Sequence, residues 1–278
     1  MTVIVFTLIV FLSAAVAGLI GSLTGLGGGV VLIPLLTLLF KVDIHYAIGT
    51  SLISVIATSS GAAAAYVKEG ITNIRLGMFL ELATTIGAVM GAALATHVST
   101  SFIAITFGIM LLISAFTSFI HQEDKIAGES GSRLAAWLKL NNSFPAENGQ
   151  RPYFVKNVAG GFIMMNIAGV VSGLLGIGSG ALKVIAMDRI MRIPFKVSTT
   201  TSNFMIGVTA AASAGIYLKE GYIDPGLSMP VVLGVLAGAL AGSRILFRTK
   251  TSVLKGLFAI VIFFLAVEMI YNGITHKL

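Results

Sequence analysis

Two glycine-rich stretches of this 278-residue chain have the residue types of an anion site. "GSLTGLGGG" begins at Gly21, and "GLLGIGSGALK" begins at Gly173. If the apolar segments around them are membrane helices, each stretch should interrupt a helix and leave backbone N–H groups unpaired at the N-terminus of the helix that resumes. Amides at two such breaks can converge on one anion near the membrane midplane. The predicted ligands are Gly25, Gly27, Gly28, Gly29, Gly176, Gly178, Ser179 and Gly180.

Hydroxyl and amide side chains follow each glycine-rich stretch. They lie in "GTSLIS", which begins at Gly49, and in "TTTSNFM", which begins at Thr199. These groups could complete a cage for the oxygens of an anion. Serine and threonine also cap helices or join one membrane helix to another, and that alternative stays open. The candidates are Thr50, Ser51, Thr201, Ser202 and Asn203.

Two charged residues fall inside apolar segments, where ionisable side chains indicate function. Lys183 comes three residues after Gly180 and could neutralise an anionic substrate. It could instead extend to the membrane surface or pair with Asp188. Glu81 is the candidate for a proton-coupling carboxylate, ahead of Glu268, if burial favours its protonated form. The alternative for either glutamate is a wetted or paired position at the interface.

The sequence contains no set of residues that indicates an enzyme. It has no cysteine, and its four histidines (His45, His97, His121 and His276) are scattered at the edges of loops. We therefore expect no metal site and no cofactor. No nucleophile, base and orienting group are grouped for catalysis. Neither glycine cluster has the strand and helix context of a nucleotide-binding loop.

The elements that hold these residues must be membrane helices. Hydrophobic residues make up 56% of the chain and charged residues 10%, whereas soluble domains have about a quarter charged residues. The +7 net charge lies in short loops, where it sets topology and does not indicate nucleic acid. The N-terminal segment is interpreted as a first membrane helix and not a cleaved signal. Ten apolar segments are predicted at 2–24, 29–40, 46–67, 76–97, 101–120, 157–175, 180–192, 197–218, 227–247 and 252–272.

The chain is an internal duplication. A shift of 151 residues without gaps aligns Gly25, Gly27 and Gly29 with Gly176, Gly178 and Gly180, and "YVKEG" with "YLKEG". This alignment predicts an all-α polytopic membrane protein of two five-segment repeats. Each repeat has a glycine-broken helix and one short segment, whose 12 or so residues rise only about 18 Å against a core of about 30 Å. The predicted regions are a repeat at 1–120, a connector at 121–156 and a second repeat at 157–278.

The positions of the basic residues predict how the repeats are oriented. If all five segments of each half cross the membrane, the second repeat is inverted, and of 18 lysines and arginines only four lie on the outer face: Lys41, Lys183, Lys219 and Lys277. If the two short segments are re-entrant, giving eight crossings, the basic residues divide equally. The positive-inside rule favours ten crossings, with both termini outside and the connector in the cytoplasm. Within the connector, "SRLAAWLKL" is either a short amphipathic helix at the membrane interface or a plain linker.

Other repeated glycines have structural interpretations. We expect Gly87 and Gly91, and their counterparts Gly238 and Gly242, to allow close packing between helices. The glycines of the two "YxKEG" sequences, Gly70 and Gly221, are expected to end helices at their C-termini.

With these motifs in place, the chain resembles the TauE/SafE family of membrane permeases, the sulfite exporter family. The residues that carry the resemblance are "AGLIGSLTGLGGGVVLIPLL" (17–36), "AIGTSL" (47–52), "GLLGIGSGALKV" (173–184) and "TTTSN" (199–203). The resemblance implies a secondary transporter of small anions such as sulfite, organosulfonates or carboxylates, often working in export. The second repeat differs from the pattern, since it has no proline matching Pro34 and it adds Lys183.

Together these observations predict a bacterial inner-membrane permease that works by alternating access with proton or membrane-potential coupling. Its expected partners are a small anion and the lipid bilayer, without nucleic acid, and a homo-oligomer is compatible with the sequence. Two other classes remain open at this stage. One is a passive anion channel, and the other is a membrane assembly partner that transports nothing.

Overall fold

The computed structural model describes residues 3–24, 28–68, 70–119, 131–146, 149–246 and 251–276. Most of this part of the chain is helical, and the elements follow in the order α1 (Val3–Thr24), α2 (Gly29–Pro34), α3 (Ile44–Lys68), α4 (Ile74–Ala95), α5 (Thr100–Phe119), α6 (Arg133–Trp137), β1 (Asn142–Ala146), β2 (Gly149–Tyr153), α7 (Val158–Leu175), α8 (Gly180–Ile185), α9 (Phe195–Lys219), α10 (Pro225–Leu246) and α11 (Thr251–Ile274).

The element bounds repeat with the shift found in the sequence. Helix α8 begins and ends 151 residues after α2, and each is extended by a π-helical turn, Leu35–Leu39 and Ala186–Ile190. The same shift relates α3 to α9 and α4 to α10. The contacts correspond as well, because α1 packs against α10 just as its counterpart α7 packs against α4, while α3 packs against α9 and α5 against α11. The inversion of the two halves across the membrane stays a prediction.

Glycine lets these helices pack with their backbones in contact. A Cβ atom added at Gly87 or Gly91 would overlap the backbone of α7 at Asn166 or Val170, and one added at Gly238 would overlap α1 at Ala15. In a membrane the hydrophobic effect does not drive helices together, because the lipid tails are as apolar as the side chains. Close van der Waals contact between helices drives packing of this kind instead. The packing role expected for these three glycines is confirmed. The surroundings of Gly242 lie outside the described residues.

The two "YxKEG" glycines end their helices as expected. Gly70 follows α3 with φ of 70°, and Gly221 follows α9 with φ of 79°. This left-handed conformation costs glycine little because it has no Cβ atom.

The outer surface of the bundle is apolar. Among the described helices, α4 and α7 are long and apolar enough to cross a membrane, and shorter apolar stretches cover Ile4–Ile20, Gly29–Leu39, Thr100–Phe116, Pro225–Ala241 and Ala259–Ile274. Large side chains such as Ile4, Phe116 and Leu240 are more than 60% exposed on these helices. A surface of this kind suits a lipid environment.

The connector is folded against one end of the bundle. It contains the single helical turn α6 and the antiparallel hairpin of β1 and β2, which the sequence did not indicate. Leu140, Phe144 and Tyr153 join one buried apolar cluster with Leu76 of α4 and Met191. The described part of the connector is therefore not a plain linker, and α6 lies within the short helix predicted over "SRLAAWLKL", whose position at the membrane interface stays a prediction.

Candidate functional site

The two broken helices come together in the buried interior, where α2 packs against α3 and α8 against α9. A Cβ atom placed on Gly29 would lie 3.5 Å from the carbonyl oxygen of Gly176. The Ser51 hydroxyl of α3 donates to that same carbonyl at 2.9 Å. The structure thus brings Gly29 and Gly176, one from each predicted glycine cluster, into one site. The predicted ligands Gly25 and Gly27 lie outside the described residues.

The second break has an unusual backbone. Gly176, Gly178 and Ser179 all have positive φ, at 67°, 69° and 43°. Glycine adopts this conformation readily, but a serine there is strained, and strain of this kind concentrates at functional sites. The first break differs, because Gly28 has φ of −64° before α2 begins.

Polar groups at the second break lack partners. Ser179 is the N-cap of α8, yet its side chain makes no capping hydrogen bond. Its hydroxyl oxygen is buried and without a hydrogen-bond partner. Gly28, at the start of α2, has no side chain to cap that helix. The first two N–H groups of each helix, at Gly29 and Val30 in α2 and at Gly180 and Ala181 in α8, therefore have neither an intrahelical acceptor nor a side-chain cap, and both helix ends carry partial positive charge.

Two of the predicted hydroxyls support the breaks. Ser51 donates to Gly176, as described, and Ser202 of α9 donates to the Gly180 carbonyl at 3.2 Å. The Ser51 hydroxyl satisfies a carbonyl left open at the end of α7, and the Ser202 hydroxyl fastens the first residue of α8 to α9. These bonds join one helix to another, which was the alternative open for serine in the sequence.

The other predicted side chains bond or lie elsewhere. Thr50 shares a hydrogen bond of 3.2 Å with Ser228 of α10. Thr201 accepts one from the backbone N–H of Asn73, before α4, at 3.1 Å. Asn203 is half-buried on α9. The structure therefore brings Ser51 and Ser202 to the breaks, and directs the hydroxyls of Thr50 and Thr201 toward neighbouring helices.

The two predicted charged residues are joined through a third. Lys183 Nζ donates to Thr209 Oγ1 at 2.6 Å, and Thr209 Oγ1 donates to Glu81 Oε1 at 2.6 Å. Lys183 is fully buried, and Glu81 is 7% exposed. Lys183 therefore does not extend to the surface, and its hydrogen bond is to Thr209 and not to Asp188. We refer to Lys183, Thr209 and Glu81 as the Lys–Thr–Glu chain.

Sequence reasoning did not identify Thr209. The residue lies 128 positions from Glu81, and no motif connects them. A usable signal existed, since Thr209 comes seven residues after Ser202 and so lies on the same face of α9. Within the described part of the chain, no three histidine or acidic side chains gather in a way that could hold a metal ion.

The comparisons with known proteins agree with a transporter. A family model described as "Sulfite exporter TauE/SafE" matches residues 10–269. Among similar curated proteins of Bacillus subtilis (strain 168), "Probable membrane transporter protein YunE" is 26% identical over 93% of this chain and 95% of its own. YdhB, named in the same way, is 28% identical over 89% of this chain and 92% of its own. YjnA, also so named, is 29% identical over 94% and 98%. No solved structure matches the chain.

Proposed function

Because the chain belongs to the sulfite exporter TauE/SafE family of membrane transporters, we propose that it is a secondary transporter of small anions such as sulfite, organosulfonates or related carboxylates. One observation carries this proposal: the two glycine breaks, far apart in the sequence, come together beside Ser51, which donates to the Gly176 carbonyl and lies against Gly29. Paired helix breaks at the centre of a repeated fold are the usual substrate site of secondary transporters.

The proposed site binds the anion mainly through the backbone. Oxygens of the anion accept hydrogen bonds from the first N–H groups of α2 and α8, whose partial positive charge favours an anion. The Ser179 hydroxyl, buried and unpartnered, is a further donor at the same break. Ser51 and Ser202 hold the broken backbone in position, and Lys183 supplies the positive charge. Asn203 is a further polar group on α9.

Transport follows from this position by alternating access. One repeat moves against the other, so that the site opens to each side of the membrane in turn. In our proposal the protein lies in the bacterial inner membrane with both termini outside, and its connector covers the cytoplasmic end. Glu81 couples the movement to protons. Export then requires only that the anion and proton gradients favour it.

The proposal is tested with purified protein in liposomes. Charge movement on a supported membrane and exchange of labelled anion are recorded for sulfite, methanesulfonate, isethionate, sulfate, acetate and lactate. We expect saturable flux of one class of anion. Ser179→Gly, which relieves the strained φ and removes the CH2OH side chain, should raise KM about tenfold. Ser198→Ala removes an equally buried hydroxyl that bonds Ile193 outside the breaks, and should transport like the wild type.

The same assay distinguishes the two other classes. A passive channel would conduct without saturation and would not exchange labelled for unlabelled anion against a gradient. An assembly partner would give no flux and no exchange with any anion, although the protein remained folded. Either result would reject the proposed transporter.

A further inference from the structure

We infer that the Lys–Thr–Glu chain makes the protein a one-to-one symporter of monovalent oxyanions and protons. When an anion binds, the Lys183 ammonium pairs with the anion and no longer balances the charge of Glu81. Glu81 then binds one proton. This inference rests on the proposed function and deepens it, because it names the charge of the substrate and the stoichiometry of coupling.

The hydrogen bonds give the chain a fixed direction. A threonine hydroxyl has one proton to donate and can accept at its lone pairs. An ammonium can only donate, so Thr209 accepts from Lys183, and its own proton goes to Glu81 at 2.6 Å in preference to the Met205 carbonyl of its own helix at 3.0 Å. At 2.6 Å both bonds are as short as those formed by charged groups. The Thr209 hydroxyl therefore connects the Lys183 ammonium to the Glu81 carboxylate, and these two hydrogen bonds hold the lysine side chain in place.

One oxygen of the Glu81 carboxylate makes no hydrogen bond. Glu81 Oε1 accepts from Thr209 and from Thr85 at 3.3 Å. Glu81 Oε2 is buried and has no hydrogen-bond partner. A buried polar atom without a partner calls for an explanation. A proton can bind Oε2 without breaking either bond at Oε1, which makes this oxygen the proton site.

Lys183 is the charged group that faces Glu81 in the described part of the chain. Helix α7, which packs against α4, has no ionisable side chain, and the lysines of α9 lie at its two ends. On the π-helical turn that follows α8, the Asp188 carboxylate lies 3.9 Å from the Arg189 guanidinium. Arg75 of α4 reaches the Lys139 carbonyl at 3.5 Å. The charge on Glu81 is therefore balanced by one lysine.

The ammonium lies close to the second break. A Cβ atom added at Gly178 or Gly180 would lie 2.8 or 2.9 Å from the Ile206 side chain, and Thr209 follows Ile206 by three residues on α9. Residues three apart on a helix are neighbours on its surface, so Lys183 Nζ is about one turn of α9 from the break. An anion at the break can then draw the ammonium away from Thr209 by a change in the lysine side chain alone.

Only one repeat has these charges. Shifted by 151 residues, Lys183 corresponds to Leu32, and Glu81 corresponds to Val232. Thr58, the counterpart of Thr209, donates only within its own helix, to the carbonyls of Ser54 and Val55 at 3.0 and 3.3 Å. A single cation and a single proton site are thus available in each transport cycle.

Charge balance then selects the substrate. The empty chain is neutral, with one ammonium and one carboxylate. A monovalent anion on Lys183 leaves Glu81 without a counter-ion, and one proton transferred from water to Oε2 restores neutrality. A divalent anion would leave one negative charge buried after the same step, which is costly away from water. Monovalent sulfonates, hydrogen sulfite and monocarboxylates fit, and sulfate does not.

The experiment uses isethionate and methanesulfonate, which stay ionised and cannot carry the proton themselves, with sulfate as the divalent probe. Liposomes contain a trapped pH dye, and the membrane potential is clamped with potassium and valinomycin. We expect one proton to enter for each sulfonate, initial rates that do not depend on the potential, and sulfate flux at least tenfold slower. Sulfonate flux that carries net charge, or sulfate flux at an equal rate, would overturn the inference.

Variants separate this inference from the proposed function. Glu81→Gln should still exchange labelled for unlabelled sulfonate. Its accumulation of sulfonate driven by a pH gradient should be at least tenfold lower than that of the wild type. Thr209→Val should lower the ratio of protons to anions below one. Thr58→Val is the matched change in the other repeat and should keep the wild-type ratio of protons to anions. If Glu81→Gln folds poorly, the comparison of Thr209→Val with Thr58→Val still tests the inference. Net sulfonate uptake without proton movement in the wild type overturns the inference alone, whereas no uptake and no exchange of any anion overturns the proposed function with it.

Discussion

Asn73 donates its side-chain amide to the Tyr153 hydroxyl at 2.8 Å, which joins the start of α4 to the connector hairpin. The same amide donates to the Leu140 carbonyl at 2.9 Å, and its oxygen caps α4 by accepting from the Leu76 N–H at 3.0 Å. The Asn73 backbone N–H donates to Thr201 on the site helix α9. One buried asparagine therefore links the connector to α4 and α9, two of the three helices that hold the Lys–Thr–Glu chain.

Asn73→Ala should destabilise the protein. It removes the N-cap of α4, which contributes about 1 kcal/mol, and leaves the buried Leu140 carbonyl and Tyr153 hydroxyl without their donor. We expect the free energy of unfolding in detergent to fall by about 2–4 kcal/mol, measured by thermal unfolding. Asn142→Ala is the control, because Asn142 makes its hydrogen bond on the exposed hairpin to Ser143. Equal losses in the two variants would contradict the assignment.

Ionisation of the Tyr153 hydroxyl should lower the free energy of unfolding at high pH. Burial raises the pKa of Tyr153 to about 12, against about 10 for an exposed tyrosine. Below pH 10 both the folded and the unfolded chain hold this proton. Between pH 10 and pH 12 only the folded chain holds it, so stability decreases by up to about 1.4 kcal/mol per pH unit.

The measurement compares thermal unfolding of the wild type and Tyr153→Phe from pH 8 to pH 12. We expect parallel curves below pH 9 and a steeper decline of the wild type above pH 10. Curves that stay parallel throughout would mean that Tyr153 ionises without cost in the folded chain.

The sequence was a good guide to features that repeat or that depend on local conformation. The 151-residue shift gave the bounds of matching helices, since both halves share the pattern of apolar segments and breaks. Gly70 and Gly221 ended their helices because only the local backbone decides that role. Gly87, Gly91 and Gly238 packed against neighbouring helices as their spacing indicated.

Features that depend on distant partners were not accessible in this way. Glu81 and Lys183 stood out individually as charges in apolar segments, but the hydroxyl that joins them comes from a third helix. The connector hairpin was missed because its polar strands lack an alternating apolar pattern; Tyr153 is the only buried residue of β2. Its position is fixed by Asn73, about 80 residues away.

Gly91→Ala should separate α4 from α7. The added methyl group would overlap the Val170 carbonyl, and backbone cannot move aside as a flexible side chain can. We expect a loss of about 1–3 kcal/mol in thermal unfolding experiments. Gly215→Ala is the matched change on α9, where nothing lies within 4 Å of the new methyl group. It should be neutral or stabilise the helix by up to about 1 kcal/mol, and a comparable loss there would show that the overlap is not the cause.

Ser51→Ala should weaken substrate binding at the paired breaks. The Gly176 carbonyl would lose the donor that holds it, and the segment carrying Gly176 and Gly178 would no longer be fixed against α3. A buried group left unpaired costs about 1–3 kcal/mol, and 1.4 kcal/mol corresponds to a tenfold change in affinity. We therefore expect KM for the transported anion to rise about tenfold. Ser54→Ala removes an equally buried hydroxyl that bonds only the Thr50 carbonyl of its own helix, so its KM should match the wild type. Equal effects of the two substitutions would mean that the hydroxyl of Ser51 stabilises α3 and does not hold the break.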